Sequence, residues 1–168
     1  MNPFSFEDQR VSIFIDTQNI YHSAKNLYDK KVDFKKLVLI LTGERKLIKV
    51  FAYVIKSDLT PKEIDFFEAL TFQGIQLRIK ELQSYPDGTK KADWDVGIAI
   101  DVIRFSALVD VIILVTGDGD FLPLVEYLQN NGKQVEIAGF SQTTSVKLKE
   151  SADYYYDLNE LKDIILIS

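Results

Sequence analysis

The sequence of 168 residues is long enough to bury a sizeable core, and we expect residues 1–168 to form a single domain. It contains no cysteine, which excludes disulfides, thiolate zinc sites and cysteine nucleophiles and is compatible with a cytoplasmic protein. The formal net charge of -5 argues against a histone-like nucleic-acid binder. No apolar run approaches the roughly 20 residues of a membrane span, and residues 1–10 lack the apolar core of a signal peptide.

Strand and helix patterns alternate along the whole chain. Short runs rich in β-branched residues indicate strands, and apolar residues at helical spacing behind capping residues indicate helices. The expected elements are, in chain order, a strand over 11–16, helices over 20–28 and 33–41, a strand over 47–55, a helix over 60–74, a strand over 75–82, a hairpin arm over 85–91, a helix over 94–105, a strand over 111–115, a helix over 121–130, a strand over 134–138, a helix over 145–151, a strand over 154–158 and a helix over 159–167.

This alternation predicts the fold class. Strands separated by helices form parallel sheets covered on both faces, so we expect a three-layer, doubly wound α/β fold with a mainly parallel central sheet. Asp33 and Asp93 are placed as N-caps, and Thr60 with Glu63 forms a capping box. The helix over 94–105 has apolar residues nearly all round, which predicts that it is largely buried.

Two predicted core strands are followed by aspartates. The first ends in Asp16, and the apolar run from Val111 to Val115 is followed closely by Asp118 and Asp120. Parallel strands place their carboxyl ends at one edge of a sheet, where ligands bind, so these three carboxylates are expected to meet. An aspartate after a strand is also an ordinary helix cap or turn former. That explanation is stronger for Asp16 alone than for three converging acids.

The helix over 94–105 offers a further carboxylate. Asp95 lies in its first turn, where the helix dipole favours an acid even without a metal. Asp101 points about 120° away around the helix and, between apolar neighbours, needs a partner. Arg104, Asn19 and the site itself all remain open as that partner. Clustered carboxylates without histidine or cysteine favour Mg²⁺ or Mn²⁺, and such sites suit phosphodiester hydrolysis, which indicates a nuclease.

Four segments, in register between residues 11 and 158, resemble the motifs of NYN domains, the LabA-like branch of the PIN-domain-like ribonuclease superfamily. They are FIDTQN at 14–19, Lys91 with WDVGIAID at 94–101, TGDGDFLPL at 116–124, and Ser145-x-x-Leu148-x-x-x-Ala152-Asp153. The resemblance implies a PIN-like central sheet and metal-dependent cleavage of RNA. It also favours Asp95 over Asp93 as a metal ligand, which leaves Asp93 the capping role.

The resemblance also implies roles for individual residues. The metal-binding and catalytic acids would be Asp16, Asp95, Asp118 and Asp120. Supporting or substrate-binding roles would fall to Asn19, Lys91, Asp101, Thr116 and Ser145. The resulting hypothesis is a PIN-like ribonuclease that uses Mg²⁺ or Mn²⁺ to hydrolyse single-stranded RNA.

Three alternatives to a ribonuclease are compatible with parts of the sequence. The main one is a non-enzymatic module whose acidic pocket binds a nucleotide, RNA or a protein, and the acidic pI and thin basic surface favour it somewhat. A haloacid-dehalogenase-like phosphatase would need a second acid where Gln18 stands. A response-regulator receiver fits the topology, but nothing in the sequence identifies a signalling context.

Other polar and aromatic residues have two readings each. Lys91, with Trp94 and neighbouring basic residues, could contact phosphates and stack a base, whereas a solvated turn and a core tryptophan are the plainer explanation. The tyrosines at 154–156 indicate a strand that packs within the protein. The alternative is that this strand forms the edge of a homodimer. His22 is expected to be a solvated or hydrogen-bonded helix residue.

Overall fold

The computed structural model describes residues 2–56, 60–72, 74–88, 90–91 and 93–168 of the chain. Within them the strands are β1 (Arg10–Asp16), β2 (Lys31–Val32), β3 (Lys46–Lys56), β4 (Gln76–Glu81), β5 (Gln83–Ser84), β6 (Lys90–Lys91), β7 (Val111–Val115), β8 (Gln134–Gly139), β9 (Tyr154–Asp157) and β10 (Leu166–Ile167). The α-helices are α1 (Thr17–Tyr28), α2 (Phe34–Thr42), α3 (Pro61–Phe72), α4 (Asp95–Ser106), α5 (Leu122–Asn130), α6 (Val146–Ser151) and α7 (Lys162–Ile165). Short 3-10 turns cover Gly119–Phe121, Ser141–Thr143 and Leu158–Leu161.

Six strands form the central sheet in the order β4-β3-β1-β7-β8-β9, and every neighbouring pair is parallel. The chain starts at β1 in the middle, moves outward through β3 and β4, and returns to the other side of β1 for β7, β8 and β9. The winding direction therefore changes between β1 and β7, which lie side by side with Val11 opposite Val111. Such a switch point creates a crevice at the carboxyl ends of the strands.

Helices cover both faces of the sheet. One core contains Ile13 of β1 and side chains of α1, α2, α3 and α7, and the other contains Phe14 and side chains of α4, α5 and α6. Successive residues of a strand point to opposite faces, and both directions are apolar because both faces are covered. The predicted three-layer, doubly wound α/β arrangement is confirmed. Among the described residues, no helix has both the length and the apolar character needed to cross a bilayer.

Several local predictions are confirmed. The Asp33 side chain accepts the N–H of Lys36 at 3.1 Å, and the Thr60 hydroxyl accepts the N–H of Glu63 at 3.2 Å. A hairpin is present, although its first strand, β5, lies just before the predicted arm over 85–91 and pairs antiparallel to β6. The strand predicted over 154–158 is β9, at one edge of the sheet. These features depend on residues close together in sequence, which explains why sequence patterns find them.

The expectation that α4 is largely buried is wrong. The side chains of Val96, Ile100 and Ile103 are 72%, 51% and 42% exposed, because only one side of the helix packs on the sheet. The helix also begins at Asp95, one residue later than predicted, with Trp94 at the N-cap position. The sequence could not reveal the exposure of these side chains, because an apolar residue is predicted to be buried whether or not another element covers it.

The end of the chain also differs from the prediction. Instead of one helix over 159–167, a 3-10 turn and the short helix α7 are followed by β10. This strand pairs antiparallel with β2, Leu166 lying opposite Val32 and Ile167 opposite Lys31. Neither short strand was predicted, because a pair of two-residue strands leaves almost no periodic signal in the sequence.

Candidate metal centre

The candidate site lies at the carboxyl ends of β1 and β7, at the switch point of the sheet. Asp16 is the last residue of β1, and β7 is followed directly by Thr116. Helix α4, which contacts both strands, begins beside them at Asp95. Three segments that are distant in the sequence therefore meet at one edge, where α/β proteins of this topology bind their ligands.

Three carboxylates come together there: Asp95, Asp118 and Asp120, which we call the acidic cluster. One carboxylate oxygen from each lies within 4.8 Å of the other two. Asp95 and Asp118 are half-buried and Asp120 is exposed, so the acidic cluster is open to solvent. Oxygen donors without nitrogen or sulfur suit Mg²⁺ or Mn²⁺ better than zinc.

The electrostatics of the acidic cluster also favour a cation. Burial, followed by the charge of Asp118, raises the pKa of Asp95 to about 7, and the charges of Asp16 and Asp93 add to the effect. The part of this rise that comes from the neighbouring acids reflects an excess of negative charge around the Asp95 carboxyl group. A divalent cation can relieve that excess by replacing the proton, so the residues fit a bound metal.

Asp16 lies beside the acidic cluster and is held by another contact. The Thr116 hydroxyl donates to Oδ2 of Asp16 at 3.0 Å and accepts the backbone N–H of Asp118 at 3.2 Å. Burial raises the pKa of Asp16, and the hydrogen bond from Thr116 offsets part of that rise. Among the described residues, the set of mutually close carboxylates does not include Asp16. Its role as a metal ligand therefore stays a prediction.

Asn19 and Ser145 both hold the loop that follows β7. Oδ1 of Asn19 accepts the N–H of Gly117 at 2.9 Å, and the N–H of Ser145 donates to the Gly117 carbonyl at 2.9 Å. A Cβ atom at Gly117 would stand 2.3 Å from the carbonyl oxygen of Thr143, so only glycine permits this approach. The Ser145 hydroxyl also accepts the N–H of Leu148 and caps α6. Their contacts are with the backbone, and substrate contact stays a prediction.

Asp101 belongs to a separate network. It is buried, and its carboxylate accepts the Tyr53 hydroxyl at 2.9 Å, Nε of Arg78 at 3.1 Å and Nη1 of Arg104 at 3.4 Å. Of the three partners left open by the sequence, Arg104 is thus found, whereas Tyr53 and Arg78 were missed because they lie on β3 and β4. Asp101 ties α4 to the sheet.

Lys91 lies in a short strand, and His22 lies on the surface of a helix. The backbone of Lys91 lies in β6, opposite Gln83, and its side chain lies outside the described part of the structure. His22 is exposed on α1, and Nε2 of its ring is 3.2 Å from the side-chain oxygen of Gln18. That is the ordinary helix environment expected for His22.

Asp93 influences the acidic cluster more than the sequence predicts. Its Oδ1 accepts the N–H of Asp95 at 3.2 Å, close to the predicted capping role although Trp94 occupies the N-cap position. Its charge also contributes to raising the pKa of both Asp95 and Asp16. The available signal was its position two residues before Asp95, because charges this close interact whatever their hydrogen bonds.

Similar proteins are known from bacteria and an archaeon. The low amplitude and bright protein LabA of Synechococcus elongatus is 26% identical over 168 residues, which cover 96% of this chain and 90% of LabA. An uncharacterised protein of Methanocaldococcus jannaschii is 27% identical over 157 residues, 91% of this chain but only 57% of that protein. The crystal structure of a protein of unknown function from Vibrio parahaemolyticus superimposes with a TM-score of 0.87 at 33% identity, covering 97% of this chain and 99% of that one.

A family comparison covers the whole candidate site. The NYN domain matches residues 10–159, from the start of β1 to just beyond β9. The matched span contains Asp16, the acidic cluster and the loop held by Asn19 and Ser145. Together with the LabA homology and the parallel sheet, this match shows that the chain belongs to the NYN domain family.

Proposed function

We propose that this protein is a divalent-metal-dependent ribonuclease that hydrolyses phosphodiester bonds in single-stranded RNA. The observation that carries the proposal is the approach of three carboxylates within 4.8 Å at the switch point of the sheet. Membership of the NYN family supports a nucleic-acid substrate. The choice of single-stranded RNA follows the family resemblance of the four sequence motifs.

The proposal gives each acid a role. Asp95, Asp118 and Asp120 would hold Mg²⁺ or Mn²⁺, which supplies Lewis-acid chemistry and charge neutralisation when bound. Asp16 would complete the set from the end of β1. Asn19 and Ser145 would keep the loop that carries Asp118 in place.

The variant Asp118→Asn tests this proposal. The amide keeps Oδ1, which accepts the N–H of Asp120 at 2.9 Å in the 3-10 turn, while one negative charge is removed. We expect Mn²⁺-supported cleavage of a labelled single-stranded RNA to fall by at least about 100-fold, more than changes around the ligands of a metal usually cost. In EDTA the melting temperature should stay level or rise, because repulsion within the acidic cluster is relieved.

The matched control is Asp163→Asn, which removes an exposed charge on α7 and should leave cleavage unchanged. Full activity of Asp118→Asn in protein freed of contaminating nucleases would disprove the proposed mechanism. Metal binding without turnover in the wild-type protein would instead favour a regulatory module that uses the same acidic pocket.

A further inference from the structure

Four basic side chains line the crevice between the edge strand β4 and helix α4. Arg78 and Lys80 lie on β4, Lys49 on β3 and Arg104 on α4. Residues 78 and 80 alternate with Leu77 and Ile79, so their side chains leave the strand on the face that α4 covers. We call Lys49, Arg78, Lys80 and Arg104 the basic strip.

The upper end of the basic strip touches the segment that leads into the acidic cluster. Nζ of Lys80 donates to the carbonyl oxygen of Asp93 at 2.9 Å and lies 5.6 Å from the ring centroid of Trp94. Trp94 is anchored, because its Nε1–H donates to the carbonyl oxygen of Val54 at 2.9 Å. The Trp94 ring is therefore held in place beside Lys80. Asp95 of the acidic cluster is the next residue in the chain.

The lower end of the basic strip lies further along α4. The guanidinium carbon of Arg78 is 4.9 Å from the ring centroid of Phe51, and Arg78 contacts Asp101. Asp101 follows Asp95 by six residues, which is about 9 Å along a helix axis. Lys49 and Arg78 then line an open groove of about 560 Å³. The basic strip thus leads away from the acidic cluster for more than one helical turn.

Most of the positive charge in the basic strip is not neutralised by neighbours. Asp101 serves Arg78 at 3.1 Å and Arg104 at 3.4 Å, so one carboxylate is shared by two guanidinium groups. Among the described residues, no carboxylate oxygen lies within 4.0 Å of the ammonium group of Lys49 or Lys80. This local excess of positive charge stands out in a chain whose net charge is -5.

A polyanionic substrate creates a need for such a surface. The acidic cluster repels phosphates until a cation is bound, and the overall negative charge of the chain adds to the repulsion. A row of basic side chains beside the acidic cluster attracts the phosphates along the path that the nucleic-acid strand must take. Contacts of this kind to phosphate oxygens position a nucleic acid without reading its sequence.

We propose that the basic strip is a binding track for the phosphate backbone of single-stranded RNA, running from the acidic cluster down the crevice between β4 and α4. This inference rests on the proposed ribonuclease function, since it assigns the path of that substrate. Arg78 and Arg104 are fixed by Asp101, whereas Lys49 and Lys80 have no carboxylate partner within the described part of the chain. The two lysines are therefore the residues whose removal tests the track with least disturbance of the fold.

The experiment measures binding of a fluorescein-labelled oligouridylate of about 15 nucleotides by anisotropy in EDTA, so that no cleavage occurs. The double variant Lys49→Gln/Lys80→Gln is compared with Lys30→Gln/Lys35→Gln. The control removes two exposed lysines, Lys30 just before β2 and Lys35 in α2, two elements that pack on the opposite face of the sheet. Each phosphate contact to a single strand contributes about 0.7 to the slope of log affinity against log salt. We expect the slope to fall by about 1.4, and the affinity at about 0.1 M salt to fall about 25-fold. The control should match the wild type.

Each result decides the inference. Loss of affinity and slope in the strip variant alone supports the track, even if no metal yields cleavage, in which case only the hydrolytic proposal fails. Unchanged affinity and slope in the strip variant overturns the track even if cleavage occurs. So does wild-type binding that stays undetectable when Ca²⁺ replaces EDTA and neutralises the acidic cluster. Equal competition by polyglutamate of matched charge also overturns it, because the strip would then recognise acidic polypeptides as well as RNA. Matching melting temperatures verify that both double variants are folded.

Discussion

Among single residues, Asp95 has the pKa that is most informative about the site. Burial and the charge of Asp118 raise this pKa to about 7, from the value near 4 that is ordinary for aspartic acid. At pH values between about 4 and about 7, the folded state therefore keeps a proton on Asp95 that the unfolded state has released. The resulting stabilisation is complete below about pH 4 and is lost as the pH rises through about 7.

This sign gives a prediction for the metal-free protein. Between about pH 5 and about pH 8, the free energy of unfolding of the wild type should decline relative to that of Asp95→Asn, which cannot ionise. Urea denaturation in EDTA at a series of pH values measures the difference. Asp163→Asn, with an exposed carboxylate, serves as the control and should follow the wild type. Parallel curves for the wild type and Asp95→Asn would contradict the raised pKa.

At the scale of elements, a buried ion pair connects α2 to the sheet. Arg45, just after α2, donates to both carboxylate oxygens of Glu136 on β8 at 3.0 Å, and both side chains are almost fully buried. The same guanidinium donates to the carbonyl oxygens of Leu41 at 2.7 Å and Thr42 at 3.2 Å. It thereby satisfies carbonyl groups at the end of α2 that the helix leaves without partners.

Removing one member of this pair should be costly. We expect Arg45→Met to lower the free energy of unfolding by about 3–5 kcal/mol, because the Glu136 carboxylate is left buried without its cation. Adding Glu136→Gln removes that charge and keeps an oxygen for the Tyr156 hydroxyl, which donates to Glu136 at 3.0 Å. The double variant should regain about 1–3 kcal/mol in urea denaturation at neutral pH. A double variant less stable than Arg45→Met would show that the buried charge is not the cause.

The ion pair between Arg45 and Glu136 could not be predicted from the sequence, whereas other features could. The cap at Asp33 was predictable because its partner, Lys36, is three residues away. The rule for parallel strands likewise predicted that the carboxyl ends of β1 and β7 lie at one edge of the sheet. Arg45 and Glu136 are separated by 91 residues, and their pairing depends on how α2 lies over β8. No periodic pattern records that relation.

The candidate site divides in the same way. The rule for parallel strands predicted that Asp16, Asp118 and Asp120 meet at one edge, and the resemblance to NYN motifs implied that Asp95 joins them. The sequence did not predict that Thr116 holds Asp16 beside the acidic cluster, since that depends on side-chain directions within a few ångströms. The exposure of Val96 and Ile100 on α4 was likewise hidden, because it depends on which neighbours the helix lacks.

At the scale of the whole molecule, opposite charges occupy adjoining parts of one edge. The acidic cluster lies at the switch point between β1 and β7, and the basic strip begins beside it and follows β4 and α4. Such separation leaves the acidic cluster unattractive to a polyanion until a cation is bound. Metal binding is therefore the event on which the rest of the proposed activity depends, and it should be visible in the stability of the entire fold.

The last prediction concerns that stability. A ligand that binds only the folded state adds about 2.7 kcal/mol to the free energy of unfolding at a concentration of 100 times its Kd. For a chain of this size the gain corresponds to a rise of about 5–11 °C in Tm. We expect a saturable rise when Mg²⁺ or Mn²⁺ is added to protein freed of metal with EDTA, measured by differential scanning calorimetry. NaCl at equal ionic strength should not reproduce it, because screening alone does not fill a site. The variant Asp118→Asn/Asp120→Asn should lose the rise while keeping its Tm in EDTA, and an equal rise in that variant would place metal binding outside the acidic cluster.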